Sequence, residues 1–292
     1  MSRHPPMQRT GMPPAWATEW GQDASGVFVA FAVGEATQRL RWIAPGTFLM
    51  GSPEGEAGRF EDEGPQHEVT ITRGFWLGET PVTQALWQGV MGRNPSRFVD
   101  PERPVERVSW EDIQPFLARV GAVLPGHHAR LPTEAEWEYA CRAGTTAATW
   151  IGDLAIVGNN NAPLLDAIAW YGGNSGQGFE LADGYDSKDW SGKQYPHTRA
   201  GSRKVGQKPP NPWGLHDMLG NVWAWCADGY APYERAAAVD PAGSEAASYR
   251  VIRGGSWVNH ARYVRAACRL GSSPGGRDVN LGFRLALQPA EP

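Results

Sequence analysis

Three cysteines and seven histidines have the most obvious chemical reach in this 292-residue chain, and their spacing gives them little to do together. Cys141, Cys226 and Cys268 stand far apart, which fits neither a disulfide framework nor the closely spaced ligand pairs of a zinc site. They are expected to be reduced and structural. The histidines His4, His67, His127, His128, His197, His216 and His260 show no spacing typical of a metal-binding helix, so each reads as exposed or hydrogen-bonded. Asp183, Asp186 and Asp189 lie in a loop rich in Gly and Ser. They could hold a hard cation, but turns demand the same residues, and the turn reading is preferred.

Residues 254–284, GGSWVNHARYVRAACRLGSSPGGRDVNLGFR, are organised on another principle. Gly254, Gly255, Gly275 and Gly282 permit tight backbone turns, Trp257 and Phe283 are candidates for burial, and Arg262, Arg265, Arg269 and Arg284 can tie loops to carbonyls and carboxylates. Between these fixed points stand residues that share no chemistry: Val258, His260, Tyr263, Leu270, Gly271, Ser272, Gly276, Asp278 and Val279. A well-anchored loop lets such side chains vary at little cost in folding.

The elements that must position this segment are short. With 36 Gly, 24 Pro and 14 Trp, the chain has little room for long helices and supplies much of its buried area as indole rings, so an irregular, loop-rich α+β fold is expected. Strands are predicted over 26–33 and 38–43 about a turn at Gly34, over 46–53, and over 67–79 after an acidic surface loop. Helices follow. One is capped by Thr83 and stopped by Gly92, and one starts at Ser109 and Asp112 with Pro115 expected to bend or shorten it. A third opens on the capping box Thr133 and Glu136, presents Trp137, Ala140 and Cys141 on one face, and has Gly144 as its left-handed cap. Residues 145–212 read as a long loop region, and YRVIRGGSW and NLGFRLAL as paired closing strands. Residues 1–14 are read as a disordered tail and 15–292 as one domain, with an N-terminal strand extension at 15–38.

Composition excludes some functions. A formal charge of −4 without a basic cluster argues against nucleic acid, and no apolar run is long enough to span a membrane. No secretory signal or lipid anchor is visible, so a cytoplasmic location is expected.

Seven blocks in order, RWIAPGTFLMGSP, GFWLGETPVTQALW, NPSRF, RPVERVSWEDI, RLPTEAEWEYACRAGT, VGQKPPNPWGLHDMLGNVWAW and RVIRGGSW…NLGFRLAL, resemble the sulfatase-modifying-factor family. The resemblance implies the formylglycine-generating-enzyme type of C-type lectin fold. In the oxidase of that family two cysteines shortly after GGS[WY] bind copper and activate oxygen, a site soft thiolates suit. Here the third and eighth residues after Ser256 are Asn259 and Val264, and Cys268 stands at a different offset without a partner. Related sulfoxide synthases take iron on histidines supplied largely by an extra helical domain that this chain lacks. A calcium site implied at GN[AV]WEW reads GNVWAW here: Asn221 remains, but Ala224 replaces the carboxylate, so structural calcium is a weak expectation and no other cofactor is expected.

A narrower resemblance covers residues 250–284. The pattern RVIRGGSWxNxARxVRAACRxxxSPGxRxxNLGFR resembles the variable region of diversity-generating retroelement target proteins, in which a reverse transcriptase randomises adenines, commonly in AAC codons for Asn. Restoring Asn at the nine mixed positions, beside Asn259 and Asn280, produces a sequence resembling such a template. Changing only the adenines of AAC never yields Lys, Glu, Gln, Met or Trp, and none of these occupies the nine positions. The resemblance therefore implies a non-enzymatic protein displaying a diversified surface, with the nine residues as ligand contacts and Trp257, Asn259, Arg262, Arg265, Arg269, Asn280 and Arg284 as their frame. Its partner would be another macromolecule, by preference a protein, and a reverse transcriptase would be encoded nearby. Two readings compete with it: a formylglycine-generating or related metal-dependent oxidase or oxygenase, and an inactive structural homologue.

Overall fold

A computed structural model describes residues 13–244 and 246–290. The expected tail lies outside the described residues except for Pro13 and Pro14. Along the chain run β1 (Glu19–Asp23), β2 (Gly26–Val33), β3 (Ala36–Ile43), β4 (Gly46–Met50), β5 (His67–Ile71) and β6 (Phe75–Gly78). Helices α1 (Gln84–Met91) and α2 (Trp110–Val123), strand β7 (His127–Arg130) and helix α3 (Glu134–Arg142) follow. After the short pieces β8 (Tyr185–Asp186) and β9 (Arg199–Ala200) come β10 (Trp223–Gly229), β11 (Ala238–Val239), β12 (Arg250–Arg253), β13 (Arg269–Ser272), β14 (Leu281–Phe283) and β15 (Ala286–Pro289).

An antiparallel sheet of order β1-β2-β3-β6-β15-β7 takes in both the first and the last strand, and a second sheet has the order β13-β12-β10-β14. Successive side chains of a strand face opposite ways, and the central strands use both faces. In β6, Phe75 and Leu77 enter one core while Trp76 enters another. In β10, Ala224 and Cys226 join the first core and Trp223 and Trp225 the second. Both sheets thus separate the same two cores. The rings of Trp76, Trp87, Trp137, Trp225 and Trp257 are almost fully buried, the use of indoles that the composition predicts.

The helix signals hold with two adjustments. Thr83 Oγ1 accepts from Leu86 N at 3.2 Å, and Gly92 ends α1 at a φ of 77°. The reciprocal pairs Ser109–Asp112 and Thr133–Glu136 open α2 and α3. Pro115 does not shorten α2, which runs on to Val123, because near the helix start its missing N–H forfeits a single backbone bond. The left-handed turn after α3 begins one residue early, on Ala143 at a φ of 46°, before Gly144 at 94°. Residues 67–79 form two strands in different sheets rather than one. The closing strands are not direct partners either, because β10 lies between β12 and β14, antiparallel to one and parallel to the other.

Candidate binding surface

β12 and β13 pair antiparallel, with Arg253 opposite Arg269, Ile252 opposite Leu270 and Val251 opposite Gly271, so residues 254–268 form a folded excursion between them. Gly254 and Gly255 have φ of 98° and 73°, and a Cβ there would meet the Met218 and Tyr263 carbonyls at 2.6 and 2.8 Å. The left-handed backbone and the close packing both require glycine.

Arginines hold the excursion from inside. Arg253, wholly buried, donates to the carbonyls of Ala266, Ala267 and Cys268 and to the Glu138 carboxylate. Arg265, also wholly buried, grips Glu63 and Glu56 and the carbonyls of Gly58 and Arg262. Arg269 makes a two-pronged contact with Glu134, both distances 2.7 Å, and donates to Ala231 O at 2.8 Å. Arg284 ties Gly78 O to His216 O, and Arg262 stacks over the Phe60 ring at 3.8 Å. Such pairs stabilise only when both partners are present and well bonded. Removing one partner leaves a buried charge, at a cost of about 3–5 kcal/mol. Burial opposes ionisation of Glu138, but the flanking Arg142 and Arg253 prevail and hold its carboxyl below the usual range.

Trp257 is the apolar anchor. It is wholly buried, meets Phe98 edge-on at 5.3 Å, stacks on Trp190 of the long loop at 6.1 Å, and donates from Nε1 to Val279 O at 3.2 Å. Asn280 Nδ2 donates to Ser256 Oγ, which donates to Asn259 Oδ1, so both template asparagines fasten the same corner. Beneath Phe98, Glu106 accepts the N–H groups of Arg97 and Phe98, and burial pushes its carboxyl up to about 7.

None of the nine mixed positions is buried. His260, Gly271 and Asp278 are exposed, while Val258, Tyr263, Leu270, Ser272, Gly276 and Val279 are half-buried. They gather in three neighbourhoods. Val258 and Val279 lean on the Trp257 cluster, and Tyr263 and Leu270 on the second core, with Tyr263 5.0 Å from Phe60 and His260 6.5 Å from Tyr263. Gly271 faces Tyr230 and Tyr249. Ser272, at the end of β13, leads into a loop carrying Gly276 and Asp278, whose backbone is held by Arg107 N.

The oxidase chemistry lacks its parts. Val264 is wholly buried, Asn259 is engaged with Ser256, and burial pushes the Cys268 thiol up to about 12, far from a thiolate at neutral pH. The residues present do not fit a copper site. Asn221 does not fit the implied calcium site either: Oδ1 accepts Arg203 N at 2.8 Å, Nδ2 donates to Arg203 O at 3.0 Å, and Ala224 offers no carboxylate. In the aspartate loop, Asp186 Oδ1 caps the Lys188 N–H, as a turn residue does.

Glu63, Glu134 and Glu138, the carboxylates that receive the arginines, are not evident as sites from the sequence. The signal was there for part of the set, since Glu134, Glu138 and Arg142 recur every four residues on one face of α3.

Comparison with known proteins places the architecture. The formylglycine-generating enzyme of Thermomonospora curvata is 32% identical over 287 residues, 90% of this chain and 78% of that protein. That of Streptomyces coelicolor is 33% identical over 225 residues, 73% of this chain, and the chain spans only 60% of its length. The solved structure of Treponema denticola variable protein 1 matches at a TM-score of 0.72 and 29% identity, covering 90% of this chain and 99% of that one. The mixed α+β, loop-rich C-type lectin architecture expected from the sequence is therefore the fold of this protein. The family model of the sulfatase-modifying factor enzyme 1-like domain matches residues 27–289, and the chain belongs to that family.

Proposed function

We propose that this protein is a non-enzymatic binding protein whose diversified surface is built from Val258, His260, Tyr263, Leu270, Gly271, Ser272, Gly276, Asp278 and Val279. One observation carries the reading: within a single segment, four of the seven frame residues, Trp257, Arg265, Arg269 and Arg284, are at most 1% exposed and the other three are half-buried, while no candidate variable residue is buried. Val258, Tyr263, Leu270 and Val279 pack on the cores with one side and keep the other open to solvent, which leaves part of each free for contact. Tyr263 and Leu270, half-buried on one core with His260 6.5 Å from the tyrosine, combine an aromatic, an aliphatic and a polar group as macromolecular contact patches do. The likeness to Treponema denticola variable protein 1 supports the same reading. The ligand is another macromolecule, by preference a protein, and neither copper nor calcium takes part.

The reading is tested in the surrounding DNA. A near-copy of the codons for residues 250–284, differing only at adenines and accompanied by a reverse-transcriptase gene, is expected; a locus with neither would overturn it. The competing oxidase reading draws on the identity to formylglycine-generating enzymes. Conversion of a cysteine-containing sulfatase peptide by the copper-loaded protein would support that reading instead.

A further inference from the structure

A cavity of about 300 Å³ lies beside Arg269 of β13. This is the lower end of the size range for small-molecule sites. Its walls are mostly small and apolar, among them Met50, Ala135, Pro232 and Ala237, and two ring systems, His67 and Tyr233, meet edge to face at 5.0 Å. The charged groups lining it are Glu134, Asp228, Arg269 and, exposed, Glu234.

The hydrogen bonds decide which charge this cavity receives. Arg269 spends its donors on Glu134, Ala231 O and Asp62 O and its two faces on Tyr230 and Tyr233, so it has little left for an incoming anion. Among the described residues, Asp228 has no cationic side chain as a hydrogen-bond partner. Each of its oxygens accepts one backbone N–H, from Glu134 and from Gly243, both at 2.7 Å, and a carboxylate oxygen can accept another. Glu134 and Asp228 are both more than nine-tenths buried, and the backbone bond between them holds them side by side. Glu134 is already taken up by Arg269, the Tyr233 hydroxyl and Arg253 at 3.5 Å, so the spare acceptor capacity belongs to Asp228, and a buried carboxylate without a cationic partner favours a donor that carries positive charge.

We propose that this cavity binds a small organic cation, a primary ammonium on a compact apolar body, with the ammonium at Asp228 and the body against Met50, Pro232 and the His67 and Tyr233 rings. The site is independent of the variable-surface reading and would be common to every variant of residues 258–279, since Arg269 belongs to the frame. Burial and the adjacent Glu134 charge push the Asp228 carboxyl up to about 6, and a bound cation would relieve that strain.

The test uses the full chain and three probes of one shape: 2-phenylethylammonium, 2-phenylethanol and phenylacetate. Titrations are followed by calorimetry and by the NMR signal of the Met50 methyl group, which lines the cavity. The ammonium is expected to bind about tenfold more tightly than the alcohol, the scale of one hydrogen bond to a charged group, and to shift the Met50 signal. Phenylacetate is expected not to bind. Asp228→Asn should remove the preference for the ammonium over the alcohol. Equal binding of ammonium and alcohol, tighter binding of phenylacetate, or an unmoved Met50 signal would each overturn the proposal. The wild-type probe series decides the matter even if the variant does not fold.

Discussion

Trp257 and Val258 are neighbours in the chain and opposites in the fold. The indole is wholly buried among Phe98, Trp190 and Val279 O, while the valine beside it is partly open to solvent. The contrast recurs at Arg269 and Leu270, where the guanidinium is locked to Glu134 and the leucine is half-buried. What separates the two sets is where their partners lie. The buried arginines reach partners far off in the sequence, Glu63 in the turn of 3-10 helix before β5 and Glu134 and Glu138 on α3, whereas the mixed residues only lean on the layers beneath them, the Trp257 cluster for Val258 and Val279 and the second core for Tyr263 and Leu270. A side chain bonded to distant elements fixes the fold. One that lies on top of a fixed layer can change.

The comparison breaks most readily at Arg265. Arg265→Ala leaves the wholly buried Glu63 without its cation, and we expect a loss of about 3–5 kcal/mol in unfolding free energy by urea titration. A loss below about 1 kcal/mol would mean that the buried pairs do not hold the frame. Trp257→Ala should cost somewhat less, about 3–4 kcal/mol, because the cavity left among Phe98, Trp190 and Ala200 lies near the surface and can partly collapse.

Much of this contrast was legible beforehand, and the unread part has a physical explanation. Trp257, Arg265 and Arg269 could be named as frame because Trp and Arg are costly to place without partners. Their partners could not be named, because nothing local ties Glu63 to Arg265 across 202 residues. Capping signals at Thr83, Ser109 and Thr133 were readable because a cap is satisfied within three residues. Strand pairing was not: β14 lies beside β10 in a parallel pair, and such a pairing leaves no mark on either strand's own pattern. That Val258, Leu270 and Val279 are half-buried and not fully buried followed only from the frame around them, since residue type alone points inward.

A subtler test of the frame is titration. Glu106 supports Phe98 under Trp257, and burial raises its folded pKa from 4.5 to about 7. A carboxyl raised on folding favours the protonated native state. Its contribution is full below the unfolded value and is lost as pH rises through the folded one, so stability should fall between about pH 4.5 and 7. Glu106 is expected to contribute up to about 1.4 kcal/mol per pH unit to the slope of unfolding free energy against pH in this window, and Glu106→Gln should remove that part and leave the part, ending at lower pH, that the raised Asp228 carboxyl supplies. An unchanged slope in Glu106→Gln would place the titration elsewhere.

The smallest expected effect is the most telling. Replacing Val258, His260, Leu270 and Val279 together by Asn removes three aliphatic side chains, which in a core would cost several kcal/mol. Here the total change should stay within about 1 kcal/mol, because substitutions at such surface positions usually move stability by about half a kcal/mol or less, in either direction. Val258 and Val279 touch the Trp257 cluster and Leu270 touches the second core, so the residual cost should fall on these three, and His260→Asn alone should change nothing measurable. Urea titration of the fourfold variant beside Trp257→Ala makes the comparison within one protein. If the four substitutions together cost as much as the one tryptophan, the mixed residues belong to the core they lie on, and the distinction between frame and contents fails.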